Sequence, residues 1–305
     1  MKRFSAMFKT CKEGDRMKFT KMHGIGNDYV YVDCTKQVIP KISETAIKVS
    51  DRHFGIGSDG LILIKSSQVA DFEMDMYNAD GSRGKMCGNG IRCVAKYDYD
   101  HKLTDKTTIT IDTQSGIKTL VLTVENEKVS SVRVDMGEPE VVPAKVPCDL
   151  KVLGMDENAK EPLVGQPFTV DGQEYEITCV SMGNPHCVSF IKEDVADFPL
   201  EQIGPKFEKH PLFPEQVNAE FVRVLDEGHL QMRVWERGSG ETLACGTGAC
   251  ATAVAAYLNG YIGREVDVEL LGGHLFIQYD EVTNHVFMTG PAEEVFEGTI
   301  QLPWE

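Results

Sequence analysis

The 305-residue sequence predicts an α+β fold: two pseudo-symmetric β-rich domains from an internal duplication, each an antiparallel sheet or barrel around a central helix. Three observations carry that expectation. Residues 72–90 lie over residues 230–248 without a gap, so that Phe72 meets Leu230, Met74 meets Met232, Tyr77 meets Trp235 and Cys87 meets Cys245. A second segment, GIGNDYVYV, lies over SMGNPHCVS at nearly the same offset and brings Asn27 over Asn184. Most of the remaining chain alternates apolar with polar residues, the period of a half-buried strand, and Gly- or Asn-bearing turns separate the runs as in hairpins. Two matching segments in the same order mark a repeated unit.

Within each copy the elements read alike. Phe72, Met74 and Met76 alternate with charged or polar residues, as do Leu230, Met232 and Val234, which predicts a strand in each half. A polar, glycine-rich loop follows, then a Cys-Gly-x-Gly turn. The runs GIRCVAKYDYDHKL and GACATAVAAYLNGY come next, with apolar positions three and four apart, and are expected as helices. The second is almost entirely small or apolar, so it is expected to be wrapped by sheet on most sides. TITIDT, KTLVLTVENEKVSSVRVDM, EYEITCVSM, AEFVRVLDEGHLQMRVWE, VDVELLGGHLFIQYD and HVFMTGPAEEVFEGTIQL read as strands and hairpins. Prolines and a glycine in VDMGEPEVVPAKVPCD interrupt the strand pattern, and the domain boundary is expected at about Met136.

The bulk numbers narrow the function classes. A formal charge of −16 opposes nucleic-acid binding, which needs a basic face to meet phosphate. No apolar run reaches the ~18 residues of a membrane helix, so no membrane partner is expected. The basic first segment, MKRFSAMFKTCKEGDR, lacks the apolar core of a signal peptide. Nine cysteines, an odd count at irregular spacing, do not resemble a secreted disulfide framework, and the expected location is the reducing cytoplasm. Most of these thiols are then small buried hydrophobes.

Cys87 and Cys245 are set apart by position. A cysteine at a helix mouth meets the positive end of the macrodipole and the unpaired N–H groups of the first turn, which favours thiolate. The glycines beside it let backbone donors approach an anion. Each half therefore offers a thiol and a carboxylate cradle. Two facing thiols fit two-base proton transfer, in which one removes a proton from carbon and the other returns one to the opposite face. His186 in MGNPHCV and Glu236 in WERGSGE are candidate tuners of the thiol pKa values. Asn27, Asn78, Asn184 and Asn218 fall beside these segments, and Arg237, eight residues before Cys245, suits a carboxylate clamp. GIGSDG, residues 55–60, matches a dinucleotide fingerprint in form only, because it precedes the strand-like LILI and opens no helix; it reads as a turn. The cysteines include no C-x-x-C pair, and no metal site is expected.

With these residues in view, the sequence resembles the diaminopimelate epimerase family from about Met17 to the C-terminus. The signatures, in order, are MHGIGNDYVYVD, DRHFGIGSDG, YNADGS followed by MCGNGIRC, SMGNPHCV, NAEFV and VWERGSGETLACGTGAC. The resemblance implies a cofactor-independent epimerase that interconverts L,L- and meso-diaminopimelate for lysine and peptidoglycan precursor synthesis. It implies Cys87 and Cys245 as the acid/base pair. Gly88, Asn89, Gly246 and Thr247 would hold the carboxylate and ammonium at the reacting centre. Asn27, Asn78, Asn184, Asn218, Glu236 and Arg237 match the remaining substrate contacts, and His186 and Glu236 match the residues that set thiol pKa. It further implies a homodimer, and a final strand, about residues 290–305, that returns to the N-terminal domain of residues 17–135, leaving 136–289 as the second domain. Two departures stand out. Residues 1–16 precede the family's usual start, and Gly60 stands where some members place a glutamine contact.

Two rivals compete with this reading. Proline and hydroxyproline racemases share the two-cysteine logic but show Met-Cys-Gly-His at the first site, where this chain has Asn89. A non-catalytic thiol or zinc binder would have no need of the charges and glycines in WERGSGETLACGTG.

Overall fold

The computed structural model describes residues 9–10 and 16–301, so nearly all of the expected N-terminal extension, including Cys11, lies outside the described residues. The chain divides into two compact units, residues 1–132 with 291–305, and residues 133–290.

The first unit begins with β1 (Lys9–Thr10), followed by the antiparallel partners β2 (Arg16–Gly24) and β3 (Asn27–Asp33). The turn between β2 and β3 has positive φ at both Ile25 (47°) and Gly26 (87°), the signature of a type I′ hairpin. A buried, β-branched isoleucine in that region is a strained choice, made where the chain delivers Asn27. β4 (Gln37–Val38) pairs with β1, and α1 (Ile42–Ser50) leads to β5 (Gly60–Ser66), which runs parallel to β3. β6 (Phe72–Asn78) is antiparallel to β5, and β7 (Arg83–Gly84) is antiparallel to β6. Then come α2 (Gly88–Asp100), β8 (Thr108–Thr113) parallel to β6 and β9 (Gly116–Glu125) antiparallel to β8; β10 (Lys128–Gly137) begins in the first unit and ends in the second.

The second unit repeats this order. β11 (Gln166–Val170), β12 (Gln173–Ser181) and β13 (Pro185–Phe190) form an antiparallel meander. α3 (Leu200–Glu208) leads to β14 (Asn218–Asp226), parallel to β13, and β15 (His229–Glu236) is antiparallel to β14. β16 (Gly240–Glu241) pairs with β15; α4 (Gly246–Leu258) then leads to β17 (Glu265–Leu270), parallel to β15. β18 (Gly273–Tyr279) and β19 (Val286–Gly290) complete the unit as antiparallel neighbours. The last strand, β20 (Glu293–Gln301), belongs to the first unit and pairs antiparallel with β2 from Arg16↔Gln301 to His23↔Glu293.

The registers of the two copies coincide. Tyr31 pairs with Ile62 as Val188 pairs with Glu220, and Ile62 pairs with Met76 as Glu220 pairs with Val234. The hairpins are antiparallel as expected, but the sheets are mixed. The parallel pairs β3–β5, β6–β8, β13–β14 and β15–β17 are each joined by a crossover that carries a helix, because parallel partners cannot be linked by a tight turn. That requirement explains α1 and α3, which the sequence reading left out: α1 bridges β3 to β5 and α3 bridges β13 to β14.

Alternate residues of these strands face opposite helices. In the first unit, Leu61 and Leu63 pack with Ala46 and Val49 of α1, whereas Ile62 lies against Gly90 of α2. In the second, Cys187, Ala219 and Phe221 join the core around Leu200 and Phe207 of α3. His186 and Glu220 lie on the other face, toward α4, which β12, β13, β14, β17, β18 and β19 surround. α4 is buried along nearly its whole length, as its composition requires.

Candidate active site

Each candidate cysteine is the N-cap of a helix. Cys87 caps α2 and its Sγ accepts the Gly90 N–H at 3.3 Å; Cys245 caps α4 and its Sγ accepts the Gly248 N–H at 3.4 Å. The sulfur thus takes the place a serine or aspartate oxygen ordinarily holds at a helix start. Gly88 and Asn89, and Gly246 and Thr247, supply the first two helical positions, where backbone donors point out of the helix.

In the first unit the structure brings Asn27 and Cys87 together. The Cys87 thiol donates to Asn27 Oδ1 at 3.2 Å, and Asn27 Nδ2 donates to Asp59 Oδ2 at 2.8 Å. Arg52 holds the other Asp59 oxygen at 2.8 Å. The Tyr29 hydroxyl also contacts Cys87 and Asn27, and burial, together with the neighbouring Cys87 and Asp59, drives its pKa well above the ordinary value. Asn78 ends β6 opposite Gly60 and donates through Nδ2 to Ser82 Oγ at 3.0 Å. An ideal Cβ at Gly60 would lie 2.1 Å from the Tyr77 carbonyl oxygen, so this backbone has no room for a glutamine there.

The second unit assembles a longer network. His186, fully buried, makes a 2.6 Å bond through Nδ1 to Glu220 Oε1 and a 3.1 Å bond through Nε2 to Asn184 Oδ1. Asn184 Nδ2 donates to Thr247 Oγ1 at 3.3 Å, and that hydroxyl lies 3.6 Å from Cys245 Sγ. Asn218 sits behind this line, donating to Pro185 O and accepting the Arg237 backbone N–H at 2.9 Å. The Arg237 guanidinium is exposed and donates to Glu215 O, while Glu236 Oε1 accepts from Thr242 Oγ1 at 2.5 Å.

The helix mouth does not decide the ionisation of Cys245. Burial, then the carboxylates of Glu236 and Glu220, push this thiol well above its ordinary value, and the Thr247 hydroxyl and Gly248 N–H oppose them only in part. A helix mouth favours thiolate, but desolvation of a sulfur 5% exposed outweighs it here. Tyr29 and Glu220 were missed. Tyr29 occupies the repeat position of His186, so the self-alignment holds its signal; Glu220 is a charge set between Ala219 and the apolar pair Phe221 and Val222. Three possible metal ligands, His101, Glu294 and Glu297, cluster in the first unit, and none is a predicted site residue.

Residues 19–142 and 178–295 match the diaminopimelate epimerase family. The chain belongs to that family. It is 57% identical over 286 residues to the diaminopimelate epimerase of Acetivibrio thermocellus, covering 94% of this chain and 99% of that one. It is 56% identical over 286 residues to that of Methanococcus maripaludis strain C5, covering 94% and 100%. Solved structures with the same fold are more distant. A PhzF-family phenazine biosynthesis protein of Bacillus anthracis aligns with TM-score 0.68 at 18% identity, covering 94% of this chain and all of that one. A hydroxyproline epimerase of Agrobacterium vitis aligns with TM-score 0.65 at 12% identity, covering 93% and 91%. Among the described residues no helix is long and apolar enough to cross a membrane.

Proposed function

We propose that this member of the family interconverts L,L- and meso-diaminopimelate by two-base proton transfer at Cα, with Cys87 and Cys245 as the two bases, without a cofactor. The observation that carries the reading is the duplicated thiol cap: two cysteines, each at the mouth of a repeat-related helix, each holding the N–H three residues on. One thiolate removes the Cα proton as the other thiol delivers a proton to the opposite face, so one thiol is gained, one lost, and the configuration inverts. Cys87, which donates to Asn27, is arranged as the acid; Cys245, which faces the donors of Gly248 and Thr247, is arranged as the base in the same direction. The high pKa of free Cys245 makes its ionisation depend on the ligand. A substrate ammonium beside it would oppose the charges of Glu236 and Glu220 and bring thiolate within reach at neutral pH.

The helix-mouth pairs Gly88–Asn89 and Gly246–Thr247 would bind the carboxylate and ammonium at the reacting carbon. Asn27, Asn78, Asn184, Asn218, Glu236 and Arg237 would position the rest of the molecule, with His186 and Glu236 acting on thiol pKa. Such an enzyme serves lysine and peptidoglycan precursor synthesis in the cytoplasm, and we assign it a homodimeric state on family grounds. The test is reaction of L,L-diaminopimelate in D₂O under reductant. Meso product should carry deuterium at Cα, and Cys87→Ala and Cys245→Ala should each lose about 10²–10⁴-fold in rate. Undiminished epimerisation by either variant would remove the two-thiol assignment.

A further inference from the structure

The duplication makes a difference between the halves visible. Position for position, Tyr29 and Ile62 of the first unit become His186 and Glu220 of the second, in the same strand register. A Cβ on Gly90 would meet Ile62 Cδ1 at 2.7 Å, and a Cβ on Gly248 would meet Glu220 Oε1 at 2.8 Å. The second thiol alone therefore has a carboxylate beneath its helix mouth. Glu220 is fully buried, and its Oε2 has no hydrogen-bond partner among the described residues, so His186 is the group that compensates its burial.

We infer that Glu220 is a positioning residue for the second thiol, holding His186 so that an unbroken line of polar contacts turns the Thr247 hydroxyl onto the Cys245 sulfur. The inference rests on Cys245 acting as proposed above. The line runs Glu220–His186–Asn184–Thr247–Cys245, with separations of 2.6, 3.1, 3.3 and 3.6 Å. Its direction follows from donor chemistry. Asn184 Oδ1 accepts from His186 Nε2, so that nitrogen carries a proton, and Asn184 Nδ2 donates to Thr247 Oγ1. The hydroxyl lone pair is thereby engaged and its own proton is left for the sulfur, which favours thiolate. The Glu220 bond at Nδ1 fixes the imidazole so that Nε2 faces Asn184 Oδ1. If the ring turned, Asn184 would turn with it, and Thr247 would donate away from Cys245. The other titratable groups facing this line are Glu236 from β15, acting on both Cys245 and Glu220, and Cys179 and Cys187, which lie within the field of Glu220.

The test reads Cys245 directly. Thiolate absorbance in the ultraviolet is titrated without substrate, as the difference between each protein and its Cys245→Ala counterpart. Glu220→Leu removes the anchor and should raise the Cys245 midpoint by about one pH unit, with kcat at neutral pH down about tenfold and KM little changed. Glu220→Gln can still donate to Nδ1 while losing the charge that raises the thiol, so its midpoint should lie at or below that of the wild type. Thr247→Val should reproduce the rise, and Glu220→Leu should add no further rise to it. A Thr247→Val midpoint at or below that of the wild type would mean that Glu220 acts only as a through-space charge, which overturns the inference even if the leucine variant does not fold. Wild-type titration in a folded Glu220→Leu protein, or full additivity with Thr247→Val, would overturn it as well. Undiminished epimerisation by Cys245→Ala would instead defeat the two-thiol reading and leave the titration result standing.

Discussion

At the scale of single residues, the structure separates buried polar groups that are compensated from those that are not. Glu220 has His186; Asp98 of α2 has neither carboxyl oxygen hydrogen-bonded among the described residues and is fully buried. Burial first, then the carboxylates of Asp33 and Asp71, raise its pKa well above the ordinary value. The sign follows from proton counting. Above the unfolded value near 3.8 and below the raised folded value, the folded chain binds more protons, so stability falls as pH rises. Asp98→Asn removes that dependence. Its melting temperature, set against wild type, should gain roughly 3 °C or more between about pH 4 and pH 8. A difference that is flat over that range would show that Asp98 is compensated in solution.

At the scale of elements, the two thiol-capped helices share a geometry and differ in what lies beneath them. Gly90 and Gly248 each occupy the third helical position, whose N–H the cysteine sulfur accepts. Alanine would favour both helices by propensity, by up to ~1 kcal/mol. Its methyl, however, meets the end of the Ile62 side chain in α2, which can rotate away, and the Glu220 oxygen already bonded to His186 in α4. Gly90→Ala should therefore keep activity within a few-fold, and Gly248→Ala should lose more than tenfold in kcat with the fold intact. Equal losses would mean that the glycines serve only close approach of the ligand. The same scale explains what the sequence reading omitted. The segment that becomes α1 spans only nine residues, and the one that becomes α3 is equally short and carries Pro205 within it, so neither is conspicuous locally. Both are demanded by the parallel pairing of the strands they connect.

At the scale of the whole molecule, two-base inversion requires both sulfurs to reach opposite faces of one carbon. In the absence of substrate, mild oxidation by a disulfide reagent should then join Cys87 to Cys245 and abolish activity, and reductant should restore it. Inactivation with both thiols still titratable would contradict that requirement. Of the other six described cysteines, all but Cys34 are buried; burial raises the pKa of Cys93 to about 11 and drives that of Cys187 upward, so these buried thiols should oxidise slowly.

The duplication, the hairpins and the two thiol-opened helices were legible in the sequence because each depends on spacing within one segment: alternation for strands, three- and four-residue spacing for helices, and Cys-Gly-x-Gly for the caps. Asn27, Asn184 and His186 were legible for the same reason, as they fall in segments that repeat. The partners of those residues were not. Asp59 meets Asn27 across 32 positions, and Glu220 meets His186 across 34, through parallel strand pairs that only the folded chain sets side by side. The resting state of Cys245 belongs to the same class. Its helix mouth is written locally and favours the thiolate, but the desolvation that outweighs it comes from strands converging on α4, and the carboxylates that add to it arrive from β14 and β15. Spacing along a chain carries the geometry of a cap; the electrostatics of a buried thiol sum over everything packed around it, and only the tertiary structure decides that sum.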